Sequence, residues 1–199
     1  MLIIFITILA LGCAKPHGAK TGVHQNEPRR EEMQAQADIA LLALGDQSVD
    51  HVTTPPGYKP GDKLITYEGP GWESQMVGYR LYLDGRNAID VFGKKTTDMV
   101  LKQVGRGDDY HQMQPWGMDI LKVGASLGGG GFGVLEDGEA RQIGPAIQFS
   151  AKILRNGPQR AIVEVIHRQS QKCGGDLTAR YMIEGDNRLT RVEVDSRCR

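Results

Sequence analysis

The second half of the chain alternates with the period of a sheet and turns back on itself twice. Ile147, Phe149, Ala151 and Ile153 alternate with Gln148, Ser150 and Lys152, and beyond Asn156-Gly157-Pro158 the chain runs on from Arg160 to His167. Leu177 to Glu184, the turn Gly185-Asp186-Asn187 and Arg188 to Val194 repeat the arrangement. A period of two sends successive side chains to opposite faces of a strand. Two such runs separated by a short Gly- and Asn-rich turn read as an antiparallel hairpin. Earlier, Val77, Tyr79, Leu81 and Leu83 alternate with Gly78, Arg80, Tyr82 and Asp84 in the same way. Strands joined by short turns, with no helical pattern between them, predict an all-β fold in which antiparallel sheets form a sandwich or barrel.

The N-terminal part has a different character. With 199 residues the chain can bury one real core, and one domain is expected. Met1 to Gly12 is an apolar run that ends at Cys13, as the hydrophobic region of a secretory leader does. Lys15 and His17 interrupt it well short of the roughly 20 apolar residues a membrane-spanning helix needs. Ala10-Leu11-Gly12-Cys13 resembles the bacterial lipobox, which implies lipidation of Cys13, cleavage before it and a membrane-anchored protein of the cell envelope. Residues 14–57 are expected to form a polar tether containing one short helix over Glu31 to Leu44, capped by Gly45, with Met33, Ala37, Ala40, Leu41 and Leu44 on one face. The domain itself is expected over 58–199. Cys173 and Cys198 are an even pair suited to an oxidising compartment. Whether they meet or stay separate thiols is open at this stage.

Lys+Arg and Asp+Glu both number 24, and without a long basic run nucleic acid is not an expected partner. The glycine run Gly128-Gly129-Gly130-Gly131-Phe132-Gly133 lacks the Lys-Ser/Thr of a phosphate-binding loop and reads as a turn between strands. No spacing of His, Cys, Asp or Glu matches a zinc or EF-hand site. No cofactor is expected, and structural calcium held by scattered carboxylates is left open.

The residue types that carry chemistry concentrate between Glu68 and Lys122. Glu68-Gly69-Pro70-Gly71-Trp72-Glu73-Ser74, Tyr79-Arg80-Leu81-Tyr82-Leu83-Asp84-Gly85-Arg86-Asn87-Ala88-Ile89-Asp90-Val91-Phe92-Gly93-Lys94 and Tyr110-His111-Gln112-Met113-Gln114-Pro115-Trp116-Gly117-Met118-Asp119-Ile120-Leu121-Lys122 stand there. These strings resemble the domain of unknown function 4861 (DUF4861) family over about Tyr58 to Val194, the N-terminal half of a typical member. The resemblance implies a β-sandwich like that of galactose mutarotase and a role in handling sugars, acidic ones above all, in polysaccharide utilisation.

The residues themselves suggest how such a ligand is met. Arg80, Tyr82 and Asp84 share one strand face and Arg86 follows in the turn. Two arginines can grip a sugar carboxylate in bidentate fashion, and a solvated sheet face with ordinary ion pairs is the competing reading. His111 with Asp119 eight residues on could exchange a proton at a sugar carbon or glycosidic oxygen, with Tyr82 counted in the same catalytic set. Trp72 and Trp116 could stack on a pyranose face or pack in the core. Three functions stay open: a carbohydrate-active enzyme (lyase, hydrolase or epimerase), a non-catalytic sugar-binding or assembly lipoprotein, and an inactive fragment of a larger family member.

Overall fold

The computed structural model describes residues 3–5, 33–59, 61–107 and 109–198. Two five-stranded antiparallel sheets pack face to face as a β-sandwich. The first runs in the order β2 (Ala35–Asp38), β6 (Gly71–Ser74), β7 (Val77–Leu81), β8 (Ile89–Lys94) and β9 (Gly117–Asp119). The second runs β15 (Thr190–Ser196), β14 (Leu177–Glu184), β13 (Arg160–Arg168), β12 (Gln148–Arg155) and β5 (His51–Thr53). A smaller sheet joins β1 (Ile3–Phe5), β10 (Phe132–Glu136) and β11 (Glu139–Gln142), and β3 (Ala40–Leu41) pairs with β4 (Gln47–Ser48). The expected hairpins stand where the alternation places them. Phe149 faces His167 across β12 and β13, and Ala179 faces Val194 across β14 and β15.

The alternation decides which side chains enter the core. From the second sheet come Phe149, Ala151, Val163, Val165, Ala179 and Tyr181; from the first, Ala37, Trp72, Leu81 and Ile89. Trp72 stacks on Tyr181 with ring centroids 4.6 Å apart and donates its indole N–H to Thr190 Oγ1 at 2.8 Å, so one side chain of the first sheet engages two strands of the second. The outer face of the second sheet is polar. There Arg180 pairs with Glu164 directly across the strands at 2.8 Å.

Two expectations are corrected and one open question is settled. Glu31 to Leu44 is not a helix over its described residues: Ala35–Asp38 and Ala40–Leu41 are strands, and Leu42–Leu44 is one 3-10 turn. Ala and Leu are good helix formers, but propensity is small beside tertiary pairing, and the edge of β6 offers more. Ala35 and Ala37 enter the core, and the Asn156 side chain bonds both Ala37 backbone groups. Gly45 does end the turn, in the left-handed conformation. The sandwich therefore begins before residue 58. Cys13 and the tether through Arg30 lie outside the described residues. Among the described residues no helix is long and apolar enough to cross a membrane.

The second correction concerns the outer face of the first sheet, which is covered rather than solvated. The connection 95–116 folds over it, and Val100, Leu101, Val104 and Trp116 pack with Phe92 as a second core. Glu73 anchors this cover. Its carboxylate accepts Val100 N and Leu101 N at 2.9 Å each, Gln36 Nε2 at 2.6 Å and Lys94 Nζ at 2.8 Å. Gly117, where the cover rejoins the sheet, has φ of +140°, and a Cβ there would lie 1.9 Å from Gly93 O, so no other residue fits. The third point settles the cysteines: Cys173 and Cys198 form a disulfide with Cα atoms 4.7 Å apart.

Candidate functional site

The candidate site lies where the covered face opens, between the β7–β8 hairpin and the loop carrying Tyr110 and His111. The hairpin register sets Arg80 opposite Asp90, and the two pair at 2.7 Å with both side chains nearly buried. Four aromatic rings surround the Arg80 guanidinium, with centroids between 4.8 and 5.5 Å: Tyr67, Tyr82, Phe92 and Tyr110. A cation in such a cage is held by ring quadrupoles as well as by its carboxylate. Tyr82 donates to Asp90 Oδ2 at 2.9 Å and stands 3.3 Å from Arg80 Nη2. Burial pushes the Tyr82 phenol well above its ordinary range, with the Arg80 charge opposing and Asp90 adding to the rise. Tyr82 is therefore a fixed proton donor.

The open edge is built on this base. Arg86, with 44% of its side chain exposed, stacks over the Tyr82 ring at 4.7 Å. Its Nε donates to buried Asp84 at 2.7 Å, and Asp84 also receives the Arg86 backbone N–H at 2.8 Å. The Tyr82 and Tyr110 hydroxyls stand 3.4 Å apart, and His111 lies against Tyr110 with centroids 4.4 Å apart. His111 Nδ1 meets Asp119 Oδ2 at 3.0 Å; the imidazole is 49% exposed, its partner nearly buried. Asp119 is held by backbone bonds, Leu121 N to its Oδ1 and its own N to Tyr110 O. A buried carboxylate on Nδ1 orients the ring and leaves Nε2 toward solvent, the arrangement a general base or acid needs.

The sequence-predicted residues thus divide. Tyr82, Asp84, Arg86, His111 and Asp119 form one connected edge, and Arg80 stands behind it. At 4% exposure and paired to Asp90, Arg80 is placed to position Tyr82 rather than to meet a ligand carboxylate. Trp72 is fully buried in the sandwich core, and Trp116, 8% exposed, packs edge-on against Phe92 in the second core. A ring without an open face cannot stack on a sugar. Tyr82 and Tyr110, both partly exposed, supply the aromatic edge instead.

Asp90 and Tyr110 were not predicted as site residues. The signal for Asp90 lies in the register: a hairpin turning at Gly85 places residue 80 opposite residue 90, and an Arg–Asp cross-strand pair follows. Nothing in the sequence pattern brings Tyr110 to Tyr82, because a 22-residue connection separates its loop's ends. Among the described residues, no group of three His, Cys, Asp or Glu side chains gathers as metal ligands would.

Fold and edge together define a class: an antiparallel β-sandwich whose covered sheet presents an Arg–Tyr–Tyr–His edge beside a cleft. Residues 17–198 match the family described as domain of unknown function DUF4861, and the chain belongs to that family. The match extends N-terminally of Tyr58 and so takes in β2 to β5. No curated protein matches the chain, and no solved structure does.

Proposed function

We propose that this protein is an envelope lipoprotein that binds and acts on acidic saccharides, those containing uronic acids, in the breakdown of polysaccharides. The observation that supports it is the continuity of the edge from Arg86 across Tyr82 and Tyr110 to the His111–Asp119 pair. A guanidinium carries five N–H donors in a fixed fork. Asp84 takes Nε and Nη2 of Arg86, which leaves the other nitrogen for a sugar carboxylate. The tyrosine edges offer an apolar surface and hydroxyl contacts, and His111 Nε2 takes or returns a proton at the bound sugar. The galactose-mutarotase likeness of the family accords with this chemistry and rests on resemblance alone. Cys13, as the lipid-bearing residue, supplies the anchor. Mass spectrometry of the membrane fraction should find a diacylated cysteine at the N-terminus; a soluble protein retaining Met1 sinks the anchor.

Titration calorimetry with uronic-acid oligosaccharides against neutral ones of equal length tests the ligand. Charge-assisted bonds contribute about 1.5–3 kcal/mol, so Arg86→Lys should weaken uronate binding roughly tenfold or more while the melting temperature holds. Equal affinity for acidic and neutral chains would remove the carboxylate contact. For catalysis, His111→Ala should lower turnover about 10²–10⁴-fold with uronate affinity kept. A wild-type protein that binds uronates without turning them over would leave a binding lipoprotein.

A further inference from the structure

We propose that the cleft beside Arg86 is a second anion subsite, which takes the carboxylate or sulfate of the neighbouring residue in a saccharide held at the tyrosine edge. The inference rests on the uronate reading for the first residue and on separate observations for the second. The cleft has a volume of about 550 Å³, within the range of pockets that enclose small ligands. Among the described residues three cations from three separate elements line it: Arg86 from the β7–β8 turn, Arg141 from β11 and Lys172 from the loop after β13. Among the described residues Asp84 is the sole acid in its lining, and it is already neutralised by Arg86.

The charge is local. Over the whole chain acidic and basic residues balance, yet the described lining of this cavity carries three cations and one acid. Arg141 and Lys172 do have partners, Glu139 and Glu136, and neither acid lines the cleft. Both are exposed pairs, and such pairs hold their geometry weakly. An entering anion can therefore take over the guanidinium and the ammonium without leaving a buried charge behind.

The walls are held in place before any ligand arrives. Gly144 N donates to Gly85 O at 3.0 Å across the floor, and the approach is so close that a Cβ on Gly85 would lie 2.6 Å from Pro145 N. Gln171 N donates to Pro145 O at 2.8 Å, Lys172 N to Ile143 O at 3.3 Å, and the next residue, Cys173, is tied to Cys198. A cation on a pinned loop loses little freedom when it binds. Arg86 is common to the cleft and the tyrosine edge, so a ligand running from one to the other passes it.

The test is calorimetry on the mature protein with a monouronate, an oligouronate and a sulfated neutral oligosaccharide, each over a range of salt. The Arg141→Gln/Lys172→Gln double variant should bind the oligouronate roughly tenfold more weakly, with a shallower salt dependence, and the monouronate as before. Loss confined to the sulfated ligand would assign the subsite to sulfate esters; loss confined to the oligouronate would assign it to carboxylates. Unchanged oligouronate and sulfated-ligand affinities in the double variant would overturn the subsite. Should Arg86→Lys leave uronate binding unchanged while the double variant still loses the sulfated ligand, the tyrosine-edge reading fails and the anion cleft stands. Arg141 is exposed and Lys172 half-buried, and an unchanged melting temperature confirms that the variant folds.

Discussion

Glu73→Ala should destabilise the fold by about 3–5 kcal/mol, the cost of breaking a buried ion pair by removing one partner. The Glu73 and Lys94 side chains are fully buried and pair at 2.8 Å, and the carboxylate accepts four donors in all. Alanine strands the Lys94 ammonium, whose other bond is to Ser74 O at 2.8 Å, together with the Val100 and Leu101 N–H groups. Lys94→Met should cost less, because Gln36, Val100 and Leu101 still satisfy the carboxylate. Urea unfolding reads both values from the midpoint at constant slope. A loss under about 1 kcal/mol for Glu73→Ala would mean that the covering connection is held by its apolar contacts alone. With the anchor gone, limited proteolysis should cut between residues 95 and 116 before it cuts the sandwich.

Acid should weaken the protein through His167, by an amount nearly as large. The imidazole is fully buried between Phe132 and Phe149, and neither ring nitrogen finds a hydrogen-bond partner among the described residues. Burial lowers its pKa from 6.5 to about 4, with the charge of Asp84 opposing. The folded state thus keeps His167 neutral while the unfolded chain protonates it near 6.5. Its contribution is complete above that value and is lost as pH falls from 6.5 toward 4, a decline of about 3 kcal/mol. His167→Phe removes the titration and should flatten the difference in this window, measured as urea midpoints between pH 7 and pH 4.5. Parallel wild-type and variant curves would assign the acid sensitivity to carboxylates such as Asp176, whose pKa is lowered by the Gln169 N–H and by Arg168.

The strands from Gln148 onward were legible because consecutive hairpins need only a period of two and a turn, both local properties. His111 and Asp119 were legible as a pair because only a short loop and the three residues of β9 carry the chain from one to the other. The burial of Arg80 is not legible in the same local pattern. Its alternation shows which face it occupies, but only the packing of residues 95–116 shows that the face is covered. Trp72 shows the limit again: a loop-like Gly-Pro-Gly context hides a strand whose indole completes the core. The helix expected over Glu31 to Leu44 does not form because the edge of β6, a partner visible only in three dimensions, outweighs local propensity.

The segment from Ala35 to Thr53 gives an edge strand to each sheet: β2 joins β6, and β5 crosses to join β12, where Thr53 meets Ser150. Apart from these two strands, each sheet is a meander of strands that follow one another along the chain. Neighbouring hairpins close short loops, whereas this Ala35–Thr53 strap must close one of almost a hundred residues to bring β5 to β12, and closure entropy delays such contacts. The two meanders are therefore expected to assemble as separate nuclei, and the strap to zip them together last. Pulsed hydrogen exchange during refolding should protect amides of β13 and β14 before those of β5; simultaneous protection would mean that the sheets dock before either is complete.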